Sequence, residues 1–352
     1  MGTTDVDTTF DLARLDSYMA RALTGDQAGK VERSLISGGL SQMTVRYTAQ
    51  GATAGASAAD ADVVVRVPPA FGPLEPYEPV TEARLLQAMS ELGRPVPQVC
   101  LIEDDPRRLG RAFYATSFIP ATMTAEGGAR VGVDGSRLAE SFIDLLLSIH
   151  RAPLETPTAA GTLREILGHL PEKTPQGVLD RWDGPLEAAG VSTPTYHRFL
   201  GEWLRLRRPA PSGLQTVVHG DFRLGNVLWR PDGEVAAMMD WEETALGDPL
   251  YDLAWLLVGS YADDDMIFEL APRSWFIARY AERSGVTVDP ARLLWWEVAA
   301  GWSLLAMNAV ALGFMAQGRY HDIRPMLYGY LNRRIARVLL RKVRAYEDMA
   351  GR

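Results

Sequence analysis

The sequence has a single cysteine, Cys100, and only three lysines among its 36 basic residues. One cysteine excludes an internal disulfide and a cysteine-based metal site. The five histidines are scattered and form no HExxH pair, so the usual zinc-protease motif is absent. With 44 acidic residues, the 352-residue chain carries a net charge of −8. A general nucleic-acid binder is normally basic, so no nucleic-acid partner is expected.

Targeting and membrane signals are also scarce. The first ten residues have neither the basic region nor the apolar run of a secretory signal. Residues 293–316 are long and apolar enough to cross a bilayer, which is the alternative here. They contain Glu297, Ser303 and Asn308, and a charge inside a lone span is costly. We therefore expect a buried helix in a cytoplasmic protein that has no membrane partner.

The pattern of predicted elements changes near Pro120. Before it, short apolar runs predict strands at 31–36, 43–49, 62–67, 99–103 and 111–119, with helices at 8–23 and 79–92. After it, long helical patterns cover 135–150, 195–206, 275–284, 291–316 and 325–349. The sequence thus predicts an α+β protein with two lobes. Residues 1–119 form a mainly antiparallel β-sheet lobe, and residues 120–352 form a larger helical lobe.

One segment of the second lobe, residues 215–257, interrupts the helices. Val227–Trp229 and Val235–Met239 are predicted strands joined by the turn at 231–233, which makes a hairpin. Asn226 directly precedes the first strand and Asp240 directly follows the second. Antiparallel pairing should therefore bring Asp240 back beside Asn226.

Asp221 lies on the loop just before this hairpin, so two carboxylates and an amide oxygen should converge at its open end. Mg²⁺ favours one or two carboxylates together with phosphate and water oxygens. The alternative is that Asp221 and Asp240 are ordinary turn residues and that Asn226 is a cap.

The run HGDFRLGN from His219, followed by an MMDWE run whose Asp lies 14 residues after the Asn, resembles the catalytic and metal loops of the aminoglycoside-phosphotransferase-like family. That family is similar in fold to protein kinases. The resemblance covers about Leu35 to Leu257 and is closest to the branch associated with acyl-CoA dehydrogenases. It implies a bilobal kinase-like fold and transfer of the γ-phosphoryl group of ATP or GTP to the hydroxyl of a small molecule.

The same resemblance implies roles for four residues of the second lobe. Asp221 would be the catalytic base, and Arg223 would lie near the transferring phosphoryl group, where a guanidinium can bind phosphate oxygens. Asn226 and Asp240 would hold Mg²⁺ against the nucleotide phosphates.

The nucleotide side is expected in the first lobe. Gly38, Gly39 and Ser41 lie between two predicted strands, where backbone N–H groups could approach phosphate. By analogy with the family, the backbone groups of Ser117 and Ile119 would hold the base at the hinge between the lobes.

No lysine occupies the third strand, where a kinase-like lobe needs a cation. Arg66 is there instead, and Glu82 follows on the next predicted helix. The resemblance implies that Arg66 contacts the α- and β-phosphates and that Glu82 orients it. Arginine is not a neutral replacement for lysine, so an exposed surface arginine is the alternative.

Two other functions remain open on the sequence. A kinase-like protein could bind nucleotide or metabolite without turnover, and Arg66 is the main support for that view. A protein kinase is disfavoured because only six residues separate Asp240 from Gly247, too few for a peptide-docking segment. The sequence leaves the oligomeric state open.

The acceptor is expected beside Asp221, next to Trp241, Glu242 and Glu243. These two glutamates and the run at 263–265 offer negative charge for a cationic acceptor, unless they are simply solvated. Several tryptophans in the following helices suggest a more apolar alcohol as the alternative; they are Trp275, Trp295, Trp296 and Trp302.

Overall fold

The computed structural model describes residues 10–25, 31–36, 42–50, 61–120, 134–259, 265–320 and 324–351. Three residues of the predicted phosphate loop, Gly38, Gly39 and Ser41, lie outside the described residues. The same holds for Asp263 and Asp264 of the acidic run.

Five antiparallel strands form the sheet of the first lobe, in the spatial order β1-β2-β3-β5-β4. The strands are β1 (Val31–Leu35), β2 (Met43–Ala49), β3 (Ala61–Val67), β4 (Val99–Glu103) and β5 (Phe113–Ser117). The helices of this lobe are α1 (Leu12–Thr24), α2 (Pro79–Glu91) and α3 (Pro106–Leu109). The first helix begins later than predicted because the Asp11 carboxylate accepts hydrogen bonds from the N–H groups of Ala13 and Arg14 and so caps it.

The two faces of β3 explain where Arg66 points. Val63, Val65 and Val67 pack with α1 in one apolar cluster on one face of the sheet. Side chains alternate along a strand, so Val64 and Arg66 lie on the opposite face, away from that cluster. The alternation thus directs Arg66 away from α1.

The second lobe is mainly helical. Its helices are α4 (Gly135–His150), α5 (Leu163–Leu167), α6 (Pro175–Ala189), α7 (Thr195–Leu206), α8 (Leu250–Gly259), α9 (Arg273–Ser284), α10 (Pro290–Ala316) and α11 (Arg324–Ala350). Its short strands are β6 (Thr216–Val218), β7 (Val227–Trp229), β8 (Val235–Met238), β9 (Ala245–Gly247), β10 (Met266–Ile267) and β11 (Ala271–Pro272). The predicted bilobal α+β architecture is confirmed, whereas α5 and α6 were not predicted. The boundary at 119/120 stays a prediction.

Within the part of the chain that the structure describes, helix α10 is the one helix long and apolar enough to cross a membrane. Most of it is buried inside the protein, as expected for a core helix. The Glu297 carboxylate, fully buried within it, accepts hydrogen bonds from Arg273 and from Lys342, each at 2.7 Å. These two cations supply the partners that a buried carboxylate needs.

Candidate active site

Asp252, one turn into α8, supports the loop that carries Asp221. Its buried carboxylate accepts hydrogen bonds from the backbone N–H groups of His219 at 2.7 Å and Gly220 at 2.9 Å. The Nε2 atom of His150 lies 3.2 Å from the same carboxylate. Burial would raise the pKa of Asp252, but His150 and the backbone donors hold it below its ordinary value. An ionised carboxylate thus anchors the loop backbone.

His219 orders the loop rather than facing a substrate. Its ring is fully buried, with Nε2 2.9 Å from the Met239 carbonyl oxygen and Nδ1 accepting a hydrogen bond from the Asp221 N–H. Burial lowers the pKa of His219, which favours the neutral ring. Gly220 has a φ of 88°, and a Cβ there would lie 2.2 Å from the Glu243 carbonyl oxygen. Only glycine fits this turn without displacing the backbone beside it.

The Asp221 carboxylate is held at both of its oxygen atoms. Oδ1 accepts a hydrogen bond from Trp255 Nε1 at 2.7 Å, and Oδ2 accepts one from Asn226 Nδ2, also at 2.7 Å. Arg223 Nε lies 3.1 Å from Oδ2. Burial raises the pKa of Asp221, and Arg223 opposes that rise. About a quarter of the side chain, 23%, remains exposed, so a substrate hydroxyl can reach it.

The hairpin brings Asn226 and Asp240 to one end, as its spacing predicts. Val227 pairs with Met238, and the Met239 N–H donates to the Asn226 carbonyl oxygen at 2.8 Å. The Asn226 Nδ2 group faces Asp221 and donates both to its carboxylate and to its backbone oxygen, so the amide oxygen points the other way. Asp240 has a φ of 67°, a left-handed conformation that aspartate tolerates better than most residues.

Arg66 meets this hairpin end from the other lobe. It is 8% exposed, and its Nη2 atom lies 2.5 Å from Asp240 Oδ1 and 4.0 Å from Glu82 Oε1. Its Nε–H donates to Gln42 Oε1 at 3.1 Å. Burial would raise the pKa of Asp240, but Arg66 holds it below its ordinary value. The alternative of an exposed surface arginine on β3 is therefore wrong.

Comparison with known proteins agrees with this arrangement. A family model for the phosphotransferase enzyme family matches residues 33–296 of the chain. The chain belongs to the phosphotransferase enzyme family.

Two relatives illustrate the range of the chain's similarities. Acyl-CoA dehydrogenase family member 10 of Mus musculus is 31% identical over 210 residues, which are 58% of this chain and 19% of that protein. N-acetylmuramate/N-acetylglucosamine kinase of Caulobacter vibrioides is 26% identical over 234 residues, 62% of this chain and 61% of that one. The matched part of the chain thus spans only about a fifth of the acyl-CoA dehydrogenase relative.

A crystal structure from Ralstonia eutropha, assigned to the aminoglycoside phosphotransferases, superposes with a TM-score of 0.67 at 19% identity. The match covers 96% of this chain and 99% of that one. At this identity the likeness concerns the fold, and the kinase-like fold expected from the sequence is confirmed.

At the proposed hinge between the lobes, two backbone N–H groups near the expected site of the nucleotide base are already hydrogen-bonded within the protein. The Ser117 N–H donates to the Gln98 carbonyl oxygen at 2.8 Å, and the Phe118 N–H donates to the Asp62 carbonyl oxygen at 2.9 Å. The Ser117 amide thus already serves the sheet edge. The roles of the Ser117 and Ile119 backbone groups in holding a nucleotide base stay predictions.

On the acceptor side, the structure pairs one of the two glutamates that the sequence suggested for a cationic acceptor. Lys173 Nζ lies 2.7 Å from one oxygen of Glu243, and Arg181 Nη2 lies 3.7 Å from the other. Burial would raise the pKa of Glu243, but these two cations hold it below its ordinary value. Glu242 accepts a hydrogen bond from Gln42 Nε2 at 3.0 Å. Glu243 therefore has no free charge to offer a cationic acceptor.

A cavity of about 570 Å³ lies between α2, α6 and residues 241–245, the segment that follows Asp240. Much of its lining is apolar and comes from both lobes, including Leu74, Tyr77, Leu85, Val178, Trp182 and Trp241. Three of the tryptophans considered as pocket walls are buried in the core and are not part of this lining; they are Trp295, Trp296 and Trp302.

Sequence reasoning missed three polar residues of the site: Gln42, Trp255 and Lys173. Trp255 lies on α8, three residues after Asp252, where an indole N–H on the same helix face could have been noticed. Lys173 is one of only three lysines in the chain, and that scarcity was the available signal. For Gln42 the sequence offers no motif, because its partners Arg66, Glu82 and Glu242 come from three separate segments of the chain.

Proposed function

We propose that this phosphotransferase moves the γ-phosphoryl group of ATP or GTP to a hydroxyl of a small molecule in the cytoplasm, with Mg²⁺ as cofactor. The observation that carries the proposal is the partly exposed Asp221 carboxylate, held by Asn226 and Trp255. Asp240, at the end of the adjoining hairpin, meets the buried Arg66 of the other lobe.

The proposed step begins with the acceptor hydroxyl beside Asp221. The acceptor oxygen forms a bond to the γ-phosphorus as the bond from that phosphorus to the bridging oxygen breaks, which releases the nucleoside diphosphate. The hydroxyl proton passes to the Asp221 carboxylate, whose two hydrogen-bond donors keep it pointed at the acceptor. Arg223 lies beside Asp221 and would bind an oxygen of the transferring group.

The residues at the hairpin end fit a magnesium ion. Asp240 offers a carboxylate that is 25% exposed, and Asn226 offers an amide oxygen directed away from Asp221. These are hard oxygen donors of the kind that Mg²⁺ prefers. Among the described residues no group of three or more His, Cys, Asp or Glu could enclose a metal, so the nucleotide phosphates would complete the site. When bound, Mg²⁺ would neutralise phosphate charge.

The cavity beside residues 241–245 is the proposed acceptor site. Its volume lies within the usual range for small-molecule sites. Lys173 and Arg181 neutralise Glu243, but the same lining also carries the carboxylates of Glu75, Glu78, Glu172 and Asp180 beside its apolar walls. The lining therefore suits a hydroxyl compound with an apolar body and does not by its charge disfavour a cationic one. The kinase relative from Caulobacter vibrioides is named for sugar substrates, which also carry hydroxyl groups. We infer a small hydroxyl compound as the acceptor and assign no individual compound.

The proposal is tested by measuring nucleoside diphosphate release with ATP and GTP against a panel of sugars, amino sugars, hydroxyacyl thioesters and simple alcohols. We expect turnover with at least one acceptor, which chelator abolishes. Asp240→Ala should raise the Mg²⁺ concentration needed for half-maximal rate, with exposed Asp232→Ala as a control. Tight nucleotide binding with no phosphorylated product would instead favour the non-catalytic binding protein.

A further inference from the structure

We propose that Gln42 is a positioning residue for Arg66, and that the two act as one unit in place of the lysine expected on β3. The inference rests on the proposed function and names a residue that no motif identifies. Gln42 lies just before β2, directly after the glycine-containing loop, and is 8% exposed.

The Gln42 amide is engaged at both ends. Its Oε1 atom accepts a hydrogen bond from Arg66 Nε at 3.1 Å. Its Nε2 group donates to Glu82 Oε2 at 3.3 Å and to Glu242 Oε2 at 3.0 Å. One side chain thus joins β3, α2 and the segment that follows Asp240.

Arginine needs such a partner and lysine does not. A guanidinium is planar and carries five N–H donors in fixed directions, one of them at Nε. A buried donor without an acceptor is destabilising, and Gln42 supplies the acceptor for Nε. Bonds at both Nε and Nη2 set the plane of the Arg66 group. Its Nη1 edge, which has no hydrogen bond among the described residues, is then available for a phosphate oxygen.

The neutrality of Gln42 matters as well. Around it, Arg66 faces the carboxylates of Glu82 and Asp240, and Gln42 itself contacts the carboxylate of Glu242. An amide donates to two of these carboxylates without adding a charge of its own, whereas a lysine or arginine at position 42 would compete with the metal.

The test is a double-mutant cycle of Gln42→Met and Arg66→Lys, measured for KM and kcat with Mg-ATP. Gln42→Met alone should raise the KM for nucleotide about tenfold, the size expected for one hydrogen bond to a charged group, and leave kcat within a few-fold. In the Arg66→Lys background the same change should have little effect, because lysine has no Nε–H to satisfy. Gln215→Met is the matched control, since Gln215 bridges Arg164 and Glu172 in the same way at the surface.

Thermal unfolding of the parent, the two single variants and the double variant measures the Gln42–Arg66 contact without requiring turnover. Gln42→Met should lower the Tm in the parent background and lower it less in the Arg66→Lys background. A parent-like KM for Gln42→Met, or additive effects of the two changes, would overturn the inference. If the parent neither binds nor turns over Mg-ATP, the proposed function fails. The unfolding cycle then still tests the Gln42–Arg66 bond, and additivity there overturns it.

Discussion

The two halves of the candidate site are built in different ways. In the catalytic half, His219 and Asp221 hydrogen-bond to Asp252 and Trp255, only 33 and 34 residues along the chain. In the nucleotide half, Arg66 reaches Asp240 across 174 residues, and Gln42 reaches Glu242 across 200. The first half therefore belongs to one lobe, whereas the second exists only when the two lobes meet.

This difference assigns separate tasks to the two halves. The catalytic half is preorganised by buried hydrogen bonds within the second lobe, so changes there should affect the chemical step or the stability of that lobe. The nucleotide half depends on an ion pair between lobes, Arg66 to Asp240, so changes there should act mainly on nucleotide binding. Four substitutions test this division.

The largest effect is expected from Asp221→Asn in the catalytic half. The variant keeps a side chain of the same shape but cannot accept the acceptor proton, so kcat should fall by about 10²–10⁴-fold. Nucleotide affinity, measured by calorimetry, should stay within a few-fold of the parent because Asp221 faces the acceptor. Near-parent turnover would show that Asp221 is not the base.

The next effect is on stability and tests whether the catalytic half is anchored within its lobe. Asp252→Ala leaves two backbone N–H groups and His150 without their buried partner, and we expect a loss of about 3–5 kcal/mol in the free energy of unfolding at pH 7. Denaturant titration measures it. Asp144→Ala, which removes an exposed partner of Arg283, should cost at most about 1 kcal/mol.

The pH dependence of that loss follows from the lowered pKa of Asp252. A carboxylate whose pKa is lower in the folded state stabilises the protein above its ordinary pKa, and the contribution disappears as pH falls through the folded value. Parent and Asp252→Ala should therefore converge in stability in acid. A constant difference at all pH values would contradict an ionised anchor.

Arg66→Ala tests the nucleotide half and should act through KM. A cation that binds phosphates away from the reacting bond contributes equally to the ground and transition states, so KM for nucleotide should rise at least about tenfold with a smaller fall in kcat. Steady-state kinetics separates the two constants. Arg137→Ala, a change at an exposed arginine, is a suitable control. If Arg66→Ala binds nucleotide as the parent does, Arg66 does not serve as the phosphate-binding cation expected on β3.

The smallest expected effect is a shift in the pH dependence of kcat when Arg223 is replaced. It tests whether Arg223 controls the pKa of Asp221. Burial raises the pKa of Asp221 and Arg223 counteracts it, and Asp221 must be ionised to act as a base. The rate should therefore fall as pH drops through this pKa, and Arg223→Met should move that acid limb to higher pH. The pH profile of kcat shows the limb whatever the absolute rate of the variant. If the acid limb stays at the same pH in the variant, Arg223 does not influence the pKa of Asp221.

Local sequence patterns were enough to predict the helices and strands that are defined by interactions between neighbouring residues in the chain. The bounds of α4, α7 and β7 agree with the prediction, and so does the hairpin that brings Asn226 to Asp240. Caps, turns and periodic apolar residues lie within a few positions of one another, so a single stretch of sequence carries the whole signal.

Tertiary packing decided the rest. Helix α6 contains Gly177, Gly184 and Pro185, which oppose helix formation, and buried side chains such as Trp182 hold it in place. The sequence alone could identify the catalytic motif, because its residues and their supports lie in one segment. It could not show that Lys173 neutralises Glu243, 70 residues along the chain, nor that Gln42 contacts Glu242, 200 residues along, because those residues meet only after folding.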